Sequence, residues 1–313
     1  MIDVTIQNFE AELIQTSMQQ PVLLDIWAPW CGPCKVLGPL LEKLEVAYAG
    51  RFKLAKLNSD EQPEIAGQLS QAFGVRSIPF CVLFDRGQPV DGFVGALPES
   101  QVRAFLDKHV PSADALEAEA ELEQAEAMIA EGDADAALAK LQQAVAIDPS
   151  NDDARFDYVK LLLERAALAQ AESAFEPVAK KAATDARLEA LSHWIAAQRK
   201  ASSARDANAL AEAIAANKRD FDARFELAQT HFAAGRFTEA MDSLLEIVMR
   251  DKAWSGDLAR KTYVAILTLM AKPAANAAAG EAKGTLEVTG KAAPASADPV
   301  VDQYRRKLSM ALF

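Results

Sequence analysis

A chain of 313 residues, half of them hydrophobic, is long enough for two domains that each bury a core without help from disulfides. Its formal charge of −12 opposes phosphate backbones and anionic bilayers, which excludes nucleic acid and membrane surfaces as partners. The N-terminal stretch MIDVTIQNFEAELIQTS carries Asp3 and Glu10 where a secretory leader has a basic start and an apolar core, and the late apolar run TYVAILTLMA is about half of what a bilayer crossing needs, so a soluble cytoplasmic protein is expected.

Over residues 1–110 strands and helices alternate. PVLLDIW is a continuous apolar run between turn signals, as a central buried strand requires. A helix should start at Cys31 and Cys34: Pro33 suits a first turn, and KVLGPLLEKLEVAY has apolar residues at helical spacing, with a kink expected at Pro39. FKLAKLNSD follows as a strand, PEIAGQLSQAFGV as a helix, PFCVLFDRGQPVDGFVG as a hairpin and PESQVRAFLDKHV as a closing amphipathic helix. The fold class read from this order is α/β, a mixed sheet covered by helices on both faces.

Three cysteines, two of them as C-x-x-C, make no structural disulfide framework in such a chain and point to chemistry. Zinc needs four ligands, and only Cys81 and the scattered His109, His193 and His231 could complete a set. No metal and no cofactor are therefore expected.

Residues W-A-P-W-C-G-P-C-K, with Asp25 six positions before Cys31, Lys56 on the next strand and SIP ending at Pro79, resemble thioredoxin over about the first third of the chain. The resemblance implies a thioredoxin fold and dithiol–disulfide exchange. Cys31, at a helix N-terminus where free N–H groups and the dipole favour a thiolate, would attack a substrate disulfide. Cys34, one turn inward and less exposed, would resolve the mixed disulfide.

Asp25, buried beneath the pair as the resemblance implies, would take the Cys34 proton, with Lys56 tuning it; a mid-strand charge in VLLDIW is costly without such a role. Pro79 would be a cis proline whose neighbouring backbone pairs with an extended substrate, and Trp30, Gly32, Pro33 and Ile78 would complete the substrate contacts. Trp27 is read as core. Many thioredoxins have threonine after the proline; here Phe80 and Cys81 follow, which bears on client preference. Cys81, within FCVLF, is read as a small buried hydrophobe rather than a third redox thiol. An NADPH-dependent thioredoxin reductase or the glutathione system would restore the dithiol.

After Pro111 and Ser112 the chain turns alanine-rich, and residues 111–271 read as an all-α domain. Gly132, Ala137, Leu141, Ala144 and Pro149 have the spacing of a tetratricopeptide second helix. Gly235, Ala240, Leu244 and Ile247 repeat it, with Lys252 in place of the proline. Ala166, Ala171, Phe175 and Val178 fit a step of about 34 residues from the first copy, Ala166 standing in for glycine. A degenerate copy is expected over 186–217, and DARF opens the first helix of two units, at Asp153–Phe156 and Asp222–Phe225. Phe156, Tyr158, Phe225 and Phe232 are assigned to the interior.

Residues 272–298 read as a flexible tether of Ala, Gly, Lys and Pro. Residues 299–313 recover an amphipathic helix, with Val300, Val301, Tyr304 and Leu308 on one face and Arg305, Arg306 and Lys307 on another. Such a helix either docks on its own repeats or reaches a partner.

Taken whole, and apart from the tether, the chain resembles the bacterial co-chaperedoxin family: a thioredoxin domain, tetratricopeptide-like repeats and a C-terminal YRRKL helix. The resemblance implies a holdase, of use under oxidative stress, that binds unfolding or oxidised clients and passes them to the chaperonin and the DnaK system. Tyr304, Arg305, Arg306 and Leu308 would make the partner contact. Some members lack an active-site cysteine; this chain keeps both, which implies redox repair of the clients it holds. A dedicated disulfide reductase whose repeats recruit one folded partner stays open, as does a scaffold whose thioredoxin domain only binds.

Overall fold

The computed structural model describes residues 2–271 and 298–312, so the tether expected over 272–298 lies, but for Asp298, outside the described residues. Two compact units divide the chain, Met1–Leu116 and Glu117–Phe313.

The first unit runs β1 (Ile2–Asp3), a π-helical segment (Phe9–Gln15), β2 (Val22–Trp27), α1 (Gly32–Ala47), β3 (Lys53–Asn58), α2 (Pro63–Phe73), β4 (Phe80–Asp85), β5 (Gln88–Val94) and α3 (Glu99–His109). Its sheet has the order β1-β3-β2-β4-β5. β1, β3 and β2 are parallel, β4 runs antiparallel to β2, and β5 returns antiparallel to β4 as the second strand of a hairpin. The predicted elements form where expected, and α1 continues through Pro39 to Ala47. The π-helical segment was not foreseen.

Period-2 alternation sorts β2 between two cores. Val22, Leu24 and Ile26 join Leu57, Leu69, Val82 and Phe84 on one face. Leu23 joins Leu37, Leu41 and Leu44 of α1, with Leu83, Val102 and Leu106, on the other. By the same parity Asp25, two residues beyond Leu23, belongs to the face beneath α1.

The second unit is helical throughout its described residues: α4 (Ala113–Glu131, starting just before the unit boundary), α5 (Ala134–Ile147), α6 (Asp152–Glu164), α7 (Leu168–Phe175), a 3-10 segment (Glu176–Ala183), α8 (Ala186–Ala201), α9 (Ala207–Ala216), α10 (Phe221–Ala233), α11 (Phe237–Arg250), α12 (Leu258–Met270) and α13 (Pro299–Leu312). The repeat is written into the backbone. After α4, α6 and α10 the chain turns through Gly132, Ala166 and Gly235, all at positive φ (86°, 56° and 71°). Each turn is closed alike: Asp133, Ala167 and Arg236 donate N–H to the carbonyls of Met128, Leu162 and His231 at 2.9 Å. Ala166 thus occupies the glycine position in conformation as well as in sequence.

Ala137, Leu141 and Ala144, and likewise Ala240, Leu244 and Ile247, are fully buried. The α7 helix breaks at Pro177, which lacks the N–H an α-helix needs, and continues as the 3-10 segment. The degenerate copy is α8 with α9, and α9 buries only Leu210, which explains why its spacing is hard to read. Phe156, Phe225 and Phe232 are interior as assigned, while Tyr158 is half-buried.

Helix α13 docks on α11 and α12. Val301, Tyr304 and Leu308 are buried in the core those helices share, whereas Val300, expected on the same face, is exposed. Tyr304 Oη donates to Asp242 Oδ2 at 3.1 Å, Lys307 Nζ to Asp242 Oδ1 at 3.1 Å, and Tyr263 Oη to the Tyr304 carbonyl at 2.8 Å. Among the described residues no helix is long and apolar enough to cross a membrane.

Candidate active site

β2 ends at Trp27, and a short turn delivers Cys31 as the N-cap of α1. Cys31 and Cys34 are joined as a disulfide with Cα atoms 5.3 Å apart. The Cys31 sulfur also accepts the Cys34 N–H at 3.2 Å, so the cap of the helix is itself a redox atom. Pro33 sits in the first turn, where its missing N–H costs nothing.

Exposure does not rank the two cysteines as expected: as whole residues, Cys31 is 3% and Cys34 4% exposed. Ala28, Trp27 and Ile78 pack around both, which is why the outer cysteine is no more open than the inner one in this oxidised state. Gly32 and Pro33 are exposed beside them.

Trp30 is 70% exposed, and its Nε1 donates to Asp60 Oδ2 at 3.0 Å, which fixes the indole at the rim. Trp27 is half-buried, its buried Nε1 having no partner among the described residues. The Ile78–Pro79 bond is cis. The Pro79 carbonyl accepts Gly95 N–H at 2.8 Å, whereas neither backbone group of Ile78 is paired among the described residues. An unpaired N–H and C=O beside a disulfide can receive an extended segment.

Asp25 is 1% exposed in the middle of β2. Burial pushes its carboxyl up to about 6, opposed by the Lys56 ammonium and by the Cys81 thiol, with Glu42 adding to the rise. Parallel pairing sets Lys56 beside it, and antiparallel pairing sets Cys81 on its other side. Lys56 Nζ donates to Glu42 Oε1 of α1 at 2.5 Å, and a Cβ on Gly38 of α1 would stand 3.5 Å from that nitrogen. Helix α1 therefore passes within contact distance of the charged row.

Cys81 is fully buried, as the sequence suggested, but it is not only a hydrophobe: its Sγ donates to Asp25 Oδ1 at 3.7 Å. Burial first, then the neighbouring carboxylate, pushes its thiol well up. This contact, and the Glu42 and Asp60 partners, were missed. The available signal was parity, since Cys81 lies two residues after Pro79 on the strand that flanks β2.

The four C-terminal residues assigned to a partner separate. Tyr304 and Leu308 are internal to the second unit, whereas Arg305 and Arg306 are exposed. Among the described residues no group of three or more His, Cys, Asp or Glu could hold a metal ion.

The thioredoxin family profile matches residues 1–108, and two tetratricopeptide-repeat profiles match residues 128–195 and 200–286. Thioredoxin 1 of Nostoc sp. is 41% identical over 107 residues, which are 34% of this chain and 94% of that protein. A thioredoxin of Chlorobaculum thiosulfatiphilum is 44% identical over 108 residues, 34% of this chain and 94% of its own length. The chloroplastic thioredoxin M2 of Arabidopsis thaliana is 46% identical over 91 residues, 29% of this chain and 47% of its own. With a disulfide capping α1, a buried carboxylate on β2 and these matches, the chain belongs to the thioredoxin family, carries a thiol–disulfide redox site at Cys31 and Cys34, and continues into a tetratricopeptide-repeat region.

Proposed function

We propose that the chain is a redox-active co-chaperone: the repeat unit binds unfolding clients, and the thioredoxin unit reduces disulfides on the clients so held. The observation that carries this reading is an intact redox pair in one chain with a helical repeat array, since neither a pure holdase nor a free-standing reductase needs both. Tethering raises the concentration of a client disulfide at Cys31 far above bulk.

The exchange balances as follows. The Cys31 thiolate attacks one sulfur of a client disulfide, forming a mixed disulfide and releasing one client thiolate. Cys34 gives its proton to Asp25 and attacks the Cys31 sulfur, releasing the second client thiolate. Two electrons pass to the client, the chain is left as the Cys31–Cys34 disulfide seen here, and a thioredoxin reductase or a glutathione-based donor returns it to the dithiol. Exposed Trp30, Gly32 and Pro33, with the backbone groups of Ile78, unpaired among the described residues, and the adjacent cis Pro79, form the docking strip for the client segment. Lys56 tempers the proton affinity of Asp25.

Transfer of the client to the chaperonin or the DnaK system would engage α13 through the exposed Arg305 and Arg306; contact with Tyr304 and Leu308 would require that helix to undock. A cytoplasmic location fits this role.

The test is light scattering from a thermally unfolding protein, with the chain as wild type or as Cys31→Ala/Cys34→Ala. Suppression by both forms is expected. Suppression by neither, while the wild type still reduces a protein disulfide, would identify a dedicated reductase with a docking domain instead.

A further inference from the structure

We propose that Cys81 is a positioning residue of the redox site: its thiol donates to Asp25 Oδ1 across the β2–β4 ladder and holds that carboxylate as the proton acceptor of the exchange. The inference rests on the reading that Asp25 receives the Cys34 proton.

The argument starts from the register. Asp25 pairs with Lys56 on β3 and with Cys81 on β4, so all three lie in one row across the sheet on the face beneath α1. A carboxylate in that apolar layer must be satisfied or it stays neutral. On the β3 side the Lys56 ammonium is shared with Glu42 of α1, which leaves Asp25 only part of its field. On the β4 side the one donor among the described residues is the Cys81 thiol, 3.7 Å from Oδ1 and wholly shielded from water.

The charged or titratable groups acting on Asp25 are therefore Lys56 from β3, Glu42 from α1 and Cys81 from β4.

The pairing also gives the third thiol a role outside the exchange itself. Burial and the neighbouring carboxylate keep Cys81 protonated, and a buried thiol is a donor rather than a nucleophile. An aliphatic side chain there would fill the same space and leave Oδ1 without its donor. The hydrogen bond is stronger to a carboxylate than to a carboxylic acid, so losing it raises the proton affinity of Asp25 and leaves less free base at neutral pH.

The experiment follows release of the two thionitrobenzoate equivalents when the reduced full-length chain reacts with Ellman's reagent, by stopped flow between pH 5.5 and 9. The second release reports attack by Cys34 on the mixed disulfide. Cys81→Ala and Cys81→Val should both move the midpoint of the second-step profile upward by about half a pH unit or more, with the first step unchanged. Cys81→Ser, which keeps a donor, should hold the wild-type midpoint, a rescue that mere cavity filling by valine would not give. Should one non-donor variant fail to fold, the other carries the comparison.

Asp25→Asn separates the two ideas. If it abolishes the second-step transition while the alanine and valine profiles overlay the wild type, Cys81 has no positioning role and the acceptor reading survives. If Asp25→Asn leaves the second-step profile unaltered, Asp25 is not the acceptor and both fall.

Discussion

In β2 the carboxyl of Asp25 stands where every neighbour along the strand but Trp27 is a buried aliphatic, and its raised proton affinity is also a statement about stability. The folded chain binds this proton more tightly than the unfolded chain. Its contribution is therefore fully present below pH 3.8 and is lost as pH rises through about 6. A displacement of about two pH units at about 1.4 kcal/mol each makes the ionised form costly by roughly 3 kcal/mol. Oxidised Asp25→Asn should accordingly be more stable than the wild type at pH 8, by an amount of that order, and equal to it at pH 4. Urea unfolding at the two pH values checks this; a gain of the same size at both would sink the assignment to Asp25. A second residue-scale expectation concerns Cys34→Ser, which should arrest clients as mixed disulfides on Cys31. These would be visible on non-reducing gels after acid quenching and absent from Cys31→Ser.

Among the elements, the repeat turns offer a matched pair. Ala166 adopts φ of 56° at the position where Gly132 and Gly235 sit, and the turn hydrogen bonds are the same. A Cβ in the left-handed region costs about 1 kcal/mol. Ala166→Gly should therefore stabilise the second unit by up to about that amount, and Gly132→Ala should destabilise it similarly, although a Cβ at 132 meets nothing within 4 Å. Both shifts are read from chemical denaturation midpoints at constant slope. The same contrast tells why some copies were legible: small residues and φ-specific positions recur at a fixed step, whereas α9 buries too little to constrain its sequence.

On the scale of the whole molecule, α13 closes the repeat unit by covering α11 and α12. Tyr304→Ala removes a buried ring, its bond to Asp242 and its packing near Tyr263. A loss of about 3 kcal/mol or more is expected in the unit that holds it. Thermal unfolding should show an earlier transition for the second unit, while disulfide reduction by the first unit continues at the wild-type rate. An unchanged melting profile would mean that α13 is not part of that core.

The sequence by itself determined what is local or periodic. The C-x-x-C at a strand–helix junction, Pro33 in the first turn, the alternation that buries β2, and the recurring turn positions at 132, 166 and 235 each depend on near neighbours, so each leaves a pattern in the letters. Only the tertiary structure decided what depends on distant segments meeting. Cys81 reaches Asp25 across 56 positions of sequence because β4 pairs antiparallel to β2 in one register, and a slip of one residue would have turned it to the other face. Tyr304 likewise became a core residue because a helix face that could meet a partner as well as its own chain buries its apolar side against α11 and α12, a choice set by the shape and polar partners of that surface.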